Sequence, residues 1–159
     1  MQAHKRSGGI CQFCRCNAGA TVSYDLWRQM TIEHVIGKKR GGDLKEITIA
    51  ISERFPEITS TYRNRLVQRI TEANTITACS LCNSLTSQHG KNGKKIADML
   101  REATGTPDEV VNQVLVEIAN LFEAKRAEVD YKHEAIRDAF EKLVEPDLRQ
   151  LRCADNTVI

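Results

Sequence analysis

The chain predicts an α+β fold: a small strand–strand–helix unit closed at its outer end by four cysteines, followed by a mostly α-helical C-terminal extension. Three observations point there. Two C-x-x-C pairs, Cys11/Cys14 and Cys79/Cys82, bracket the first half of the chain. Between them, β-branched residues alternate with polar ones at Met30 to Ile36 and recur at Thr75 to Thr77, the period-2 signature of short strands. After Thr106 the apolar residues change to helical spacing and keep it for three dozen positions.

A length of 159 residues fits one domain, or a small domain with an extension. No apolar run approaches the roughly 20 residues that cross a bilayer, and the start Met-Gln-Ala-His-Lys-Arg lacks a secretory hydrophobic segment, so a soluble intracellular protein is expected. In a reducing compartment six cysteines point to metal binding rather than to a disulfide framework. The net charge of +2 hides a division: residues 1–95 hold 15 Lys and Arg against 7 Asp and Glu, a balance of +8, and residues 96–159 hold 8 against 14, a balance of −6. A basic part that meets a polyanion and an acidic part that does not would give this pattern.

In chain order, residues 1–9 read as a loose polar lead-in with His4 solvated. Ile10 to Cys16 offers a tight turn that aims two thiolates at one ion; with Cys79 and Cys82 it makes a four-thiolate site of the closed kind that holds structural Zn²⁺. Cys16 is able to replace Cys11 or Cys14, and Cys153 reads as a free thiol. Trp27 and Leu26 are expected in the core. Thr31 to Gly42 then sets a carboxylate, Glu33, beside an imidazole, His34, and follows them with Lys38, Lys39, Arg40 and a glycine pair. As strand neighbours Glu33 and His34 point to opposite faces unless the strand ends or bulges there. Residues 44–55 are compatible with a strand or a helix turn ended by Pro56, whereas Thr59 to Glu72 reads as a helix with Tyr62, Leu66 and Ile70 on one face and Arg65 and Arg69 on the next. Those two arginines either track a nucleic-acid backbone or sit solvated on a core-covering helix. The second cysteine pair opens a short helix that ends near Gly90.

Glu33-His34, Asn74 five residues before Cys79, Asn83 directly after Cys82, and the upstream cysteine pair together resemble the four-cysteine branch of the HNH endonuclease family, the ββα-metal nucleases. The resemblance covers roughly residues 10–90 and implies a ββα-metal core in residues 1–95, with 43–72 as an insertion and 96–159 as a helical extension. It implies that Glu33 ligates a catalytic divalent ion, that His34 is the general base, that Asn74 braces the loop and orients the base, and that Asn83 is the second ligand of that ion. The sequence departs from the family in the long gap from His34 to Asn74, in glutamate at the acidic position, and in Thr86 where a lysine is common.

These residues suit phosphodiester hydrolysis. An imidazole with a pKa near the working pH takes the proton from attacking water. Oxygen ligands few in number favour Mg²⁺ or Mn²⁺ at the second site. Lys38, Lys39, Arg40, Lys91, Lys94 and Lys95 flank the motif and are placed to neutralise phosphates, with His89 as a lesser candidate. Thr106-Pro-Asp-Glu109 starts a helix whose stripe of Val111, Val114, Ile118, Leu121, Phe122, Val129, Ile136, Phe140 and Leu143 either caps the chain's own core, with or without folding back as a hairpin near Asp130 to His133, or meets a second copy or a partner protein; His133 is expected to be solvated. The favoured expectation is a metal-dependent DNA endonuclease leaving 5′-phosphate and 3′-hydroxyl ends, as in restriction or phage defence. The competing one is a catalytically inactive, zinc-stapled DNA-binding or adaptor protein.

Overall fold

The computed structural model describes residues 2–21, 23–86 and 93–155, the side chains of 153–155 excepted. His89 and Lys91, two of the candidate site residues, lie outside the described residues, as does the side chain of Cys153. The architecture is mostly helical around one two-stranded antiparallel sheet.

Helix α1, Gln2–Arg6, is not a loose lead-in. The Arg6 guanidinium donates to the Glu72 and Thr75 carbonyls, and the His4 ring meets Thr77 Oγ1 at 3.2 Å, so the N-terminus is fastened along strand β2. A single turn, α2 (Tyr24–Trp27), capped by Ser23, leaves Trp27 and Leu26 on the surface, 49% and 38% exposed. Both were expected in the core; a four-residue turn followed at once by β1 has no apolar face to bury them against.

Strand β1, Met30–His34, pairs with β2, Thr75–Cys79, from Met30 opposite Cys79 to His34 opposite Thr75 without a bulge. Between the strands lie a 3₁₀ turn at Lys38–Arg40, helix α3 (Leu44–Arg54) and helix α4 (Ser60–Asn74). The ambiguous stretch after Asp43 is therefore helical. Asp43 accepts from the Glu46 amide as its N-cap, and Thr59 does the same for α4 through the Tyr62 amide. Helix α5, Ser80–Thr86, follows β2 without a loop and packs on the sheet.

Helix α6 (Ile96–Glu102) leads to α7, Pro107–Ala139, which opens with Thr106 and Glu109 in a reciprocal capping box. The hairpin near Asp130, one of the alternatives for this stretch, does not form: α7 runs through it unbroken. Its buried positions Val110, Val111, Val114, Ile118, Lys125 and Val129 follow one face, and the Phe122 ring meets Phe13 at a tilt, with ring centroids 5.5 Å apart. The helix then widens into a π turn at Phe140–Val144 and continues as α8, Glu145–Asp155. Pro146 explains the widening: it has no amide to donate and its ring crowds the carbonyl one turn before it. The core gathers Ile36, Ile47, Ile51, Leu66, Ile70, Ile96, Leu100, Val110 and Ile118 from the helices and the sheet. Among the described residues no helix is long and apolar enough to cross a membrane.

Candidate functional site

The loop after β1 is held by one side chain. Asn74 is fully buried; its Oδ1 accepts from the Ile36 amide at 2.7 Å, and its Nδ2 donates to the Ile36 carbonyl at 3.1 Å and to the Gly42 carbonyl at 2.8 Å. The amide offers two N–H donors and an acceptor, where a short hydroxyl has a single donor, and so satisfies all three backbone groups at once. Gly42 is glycine because a Cβ there would stand 1.7 Å from the Ile36 carbonyl oxygen and 2.9 Å from Asn74 Nδ2. Lys38 and Lys39, carried on the turn between these anchors, are exposed.

Pairing in the ribbon sends Thr31 and Glu33 to the face covered by α5 and α7, and His34 to the other. On the covered face, Glu33 Oε1 accepts from Lys125 Nζ of α7 at 3.0 Å and from Thr86 Oγ1 of α5 at 3.3 Å. Lys125 also donates to the His34 carbonyl at 3.1 Å, and its side chain is only 4% exposed. Asn83 donates its Nδ2 to Thr31 Oγ1 at 3.1 Å. Among the described residues, neither Glu33 Oε2 nor Asn83 Oδ1 has a hydrogen-bond partner. His34 closes the strand. Burial first, then Lys38, hold its imidazole below the ordinary value, which favours the neutral, proton-accepting form. Lys125 and Thr86 are the participants missed by sequence reasoning. A lysine within an apolar stripe, at the spacing of Ile118, Phe122, Lys125 and Val129, was the available signal for the first.

The cysteines form the second part. Gln12 lines up beside β2, its amide donating to the Thr77 carbonyl at 2.9 Å and its Oε1 accepting from the Thr77 amide at 3.0 Å; this sets the Cys11 turn against the end of β2 that carries Cys79. Arg15 and Asn17 adopt left-handed backbone with φ of 60° and 67° to close the turn. The sulfurs of Cys11, Cys14, Cys16 and Cys79 all lie within 4.8 Å of one another, as do the ligand atoms of Cys14, Cys82 and His133. Cys14 and Cys79 are 3.8 Å apart at sulfur, and Cys82 Sγ is 3.3 Å from His133 Nε2. His133 is thus no solvated helix residue, and Cys16 belongs to the cluster along with the two C-x-x-C pairs. None of these five cysteines is in a disulfide.

Without a cation the cluster tolerates little negative charge. The hydrogen bond with Cys82 draws the Cys11 thiol down to about 4, against the opposing effect of burial. Burial pushes Cys14 and Cys16 up, and the same bond to Cys11, followed by burial, pushes Cys82 up. A divalent ion reverses this by compensating several thiolates together. The four-cysteine group is compatible with a structural metal such as zinc.

The remaining candidate residues are distributed differently. Arg65 and Arg69 of α4 pair with Asp108 at the start of α7, Arg69 at 2.6 Å, and Tyr62 donates its hydroxyl to the same carboxylate. They join α4 to α7 within the chain. Lys94 pairs with Glu102, and Lys95 is exposed at the start of α6. Arg40 is half-buried, with a buried Nη1 that has no hydrogen-bond partner. A groove of about 620 Å³ lies on the far side of the sheet, lined by Ile32, Arg6, Leu44, Val67 and Thr75, and touches none of Glu33, Asn83 or the cysteines.

No family model, no curated protein and no solved structure matches the chain.

Proposed function

We propose that this protein is a metal-dependent DNA endonuclease of the HNH type, in which a ββα-metal core is built from β1, β2 and α5. The observation that carries the reading is Asn74: a fully buried amide at the head of β2 that clamps the loop immediately after Glu33 and His34. A binding module has no need to brace that loop from its interior, whereas a catalytic base must be held to within a fraction of an ångström of its working position.

In this reading His34, neutral near pH 7, accepts the proton from a water attacking phosphorus. Glu33 and Asn83 would hold a Mg²⁺ or Mn²⁺ ion through Glu33 Oε2 and Asn83 Oδ1. When bound, the ion would supply Lewis-acid stabilisation of the phosphoryl group and the departing 3′ oxygen. Lys38 and Lys39, exposed on the clamped loop, neutralise flanking phosphates, with Lys95 beyond the core; binding then weakens as salt rises. The cysteine cluster holds zinc as a structural element. The C-terminal helices are proposed as a contact between two copies, which would suit cutting both strands, because Ile136, Phe140, Leu143, Val144, Leu148 and Leu151 are all at least 40% exposed.

Two observations favour a second reading, a zinc-stapled DNA-binding or adaptor protein without catalysis. The Glu33 carboxylate already has a cation, Lys125, where the first reading needs a metal ion, and the unbulged register of β1 points Glu33 and His34 to opposite faces of the sheet. The two separate in one experiment: supercoiled plasmid with Mg²⁺ or Mn²⁺, treated with parent and His34→Ala proteins. Nicking by the parent alone supports the nuclease; equal retention of DNA with no cutting by either supports the binder.

A further inference from the structure

We propose that His133 of α7 is a ligand of the metal at the cysteine cluster, so that the ion fastens three segments of the chain and not only the two cysteine turns. The inference rests on the reading of the cluster as a metal centre and adds a nitrogen donor from a helix that no cysteine motif includes.

Geometry carries it. For zinc at about 2.3 Å from sulfur and about 2.0 Å from nitrogen, a tetrahedron has edges of about 3.8 Å between two sulfurs and about 3.5 Å between sulfur and nitrogen. The structure has 3.8 Å between Cys14 and Cys79 and 3.3 Å between Cys82 and His133 Nε2. Cys14, Cys82 and His133 are also mutually within 4.8 Å. The imidazole is aimed by the helix that carries it. Phe122 on Phe13, Lys125 on Glu33, and the buried Val129 occupy the same face of α7 at successive turns, and His133 continues it by one more. Lys132 beside it donates to the Leu85 carbonyl of α5, fixing the same turn from the other side. Beyond His133 the apolar positions of α7 are exposed, so this imidazole stands at the last point where the helix meets the body of the protein.

The consequence reaches the other site. His133 lies eight residues after Lys125, about 12 Å along the helix. Ligation of His133 anchors the distal end of the segment that delivers Lys125 to Glu33. Loss of the metal then loosens α7 and weakens the hold of Lys125 on that carboxylate.

The test uses the full chain loaded with one equivalent of zinc. X-ray absorption at the zinc edge is expected to show three sulfurs at about 2.3 Å and one nitrogen at about 2.0 Å. His133→Ala should lose the nitrogen and release zinc to a chelator at least about tenfold faster. His133→Cys, which retains a ligand, should restore slow release, and His133→Gln, which retains only a hydrogen-bond donor, should not. Amide exchange in residues 118–133 should quicken on zinc removal in the parent. Four sulfurs and no nitrogen in the parent overturns the proposal, as does rescue by Gln with none by Cys, which would make the imidazole a hydrogen-bond donor to a thiolate. A chain that binds no zinc overturns the metal reading itself and this inference with it.

Discussion

Replacing Lys125 by Met removes the cation from a carboxylate whose side chain is only 16% exposed. Breaking a buried pair from one side costs about 3–5 kcal/mol, because the charge left behind is desolvated and unpaired. The residual exposure of Glu33 and its bond from Thr86 set Lys125→Met at the lower end, about 3 kcal/mol. Glu33→Gln strands an ammonium that is 4% exposed and retains the His34 carbonyl as its main acceptor, which sets it nearer the upper end, about 5 kcal/mol. The double variant Glu33→Gln/Lys125→Met has no buried charge and should recover most of the loss, so the two changes are strongly non-additive. Urea unfolding of zinc-loaded protein, followed by far-UV circular dichroism, measures all three. A second arm asks whether the carboxylate accepts a divalent ion once its lysine is gone. Mg²⁺ at a hundred times its dissociation constant should return about 2.7 kcal/mol to Lys125→Met. It should return nothing to the double variant. A cost below about 1 kcal/mol for Lys125→Met would refute the buried-pair argument. Equal stabilisation of single and double variants by Mg²⁺ would remove Glu33 as the ligand.

Three further outcomes follow from the same geometry. Asn74→Ala leaves the Ile36 amide and two carbonyls without partners and should destabilise by several kcal/mol, at about 1–3 kcal/mol per buried group; Gly42→Ala, which drives a methyl into the Ile36 carbonyl, should be destabilising as well, and unfolding free energies from urea titration within about 1 kcal/mol of the parent would contradict both. The His34 imidazole, held below 6.5 chiefly by burial, binds fewer protons folded than unfolded, so its contribution to stability is present above the unfolded value and lost as pH falls through the folded one. Its proton resonance, assigned by loss in His34→Gln, should titrate below 6.5, and nicking should persist to the same pH; a midpoint at or above 6.5 contradicts the neutral base. Finally, sedimentation should find a dimer that Phe140→Asp with Leu148→Asp converts to monomer while the zinc content is unchanged; a parent that sediments as a monomer sinks the two-copy contact.

Local chemistry was legible where the signal is local. The cysteine turns, the cap at Thr106 and the strand at β1 each depend on residues a few positions apart: the cap forms, and the two cysteine turns meet, but the four-sulfur group takes Cys16 where Cys82 was expected, and β1 stops at His34 with Ile32 exposed. The Asn74 brace was anticipated by resemblance, and the structure supplies its three bonds. Sequence alone could not decide what stands opposite Glu33. A lysine 92 positions away in the chain becomes its partner only when α7 packs on the sheet, and nothing in the spacing of either residue encodes that meeting. The same holds for His133, whose neighbours along the chain are charged and whose neighbours in space are thiols. Arg65 and Arg69, equally suited by pattern to solvent or phosphate, are claimed by Asp108 for the same reason. Periodicity reports which face of an element is turned inward; only the packed chain reports which donor on that face meets which acceptor on another, because such pairings arise from the docking of elements and carry no period of their own.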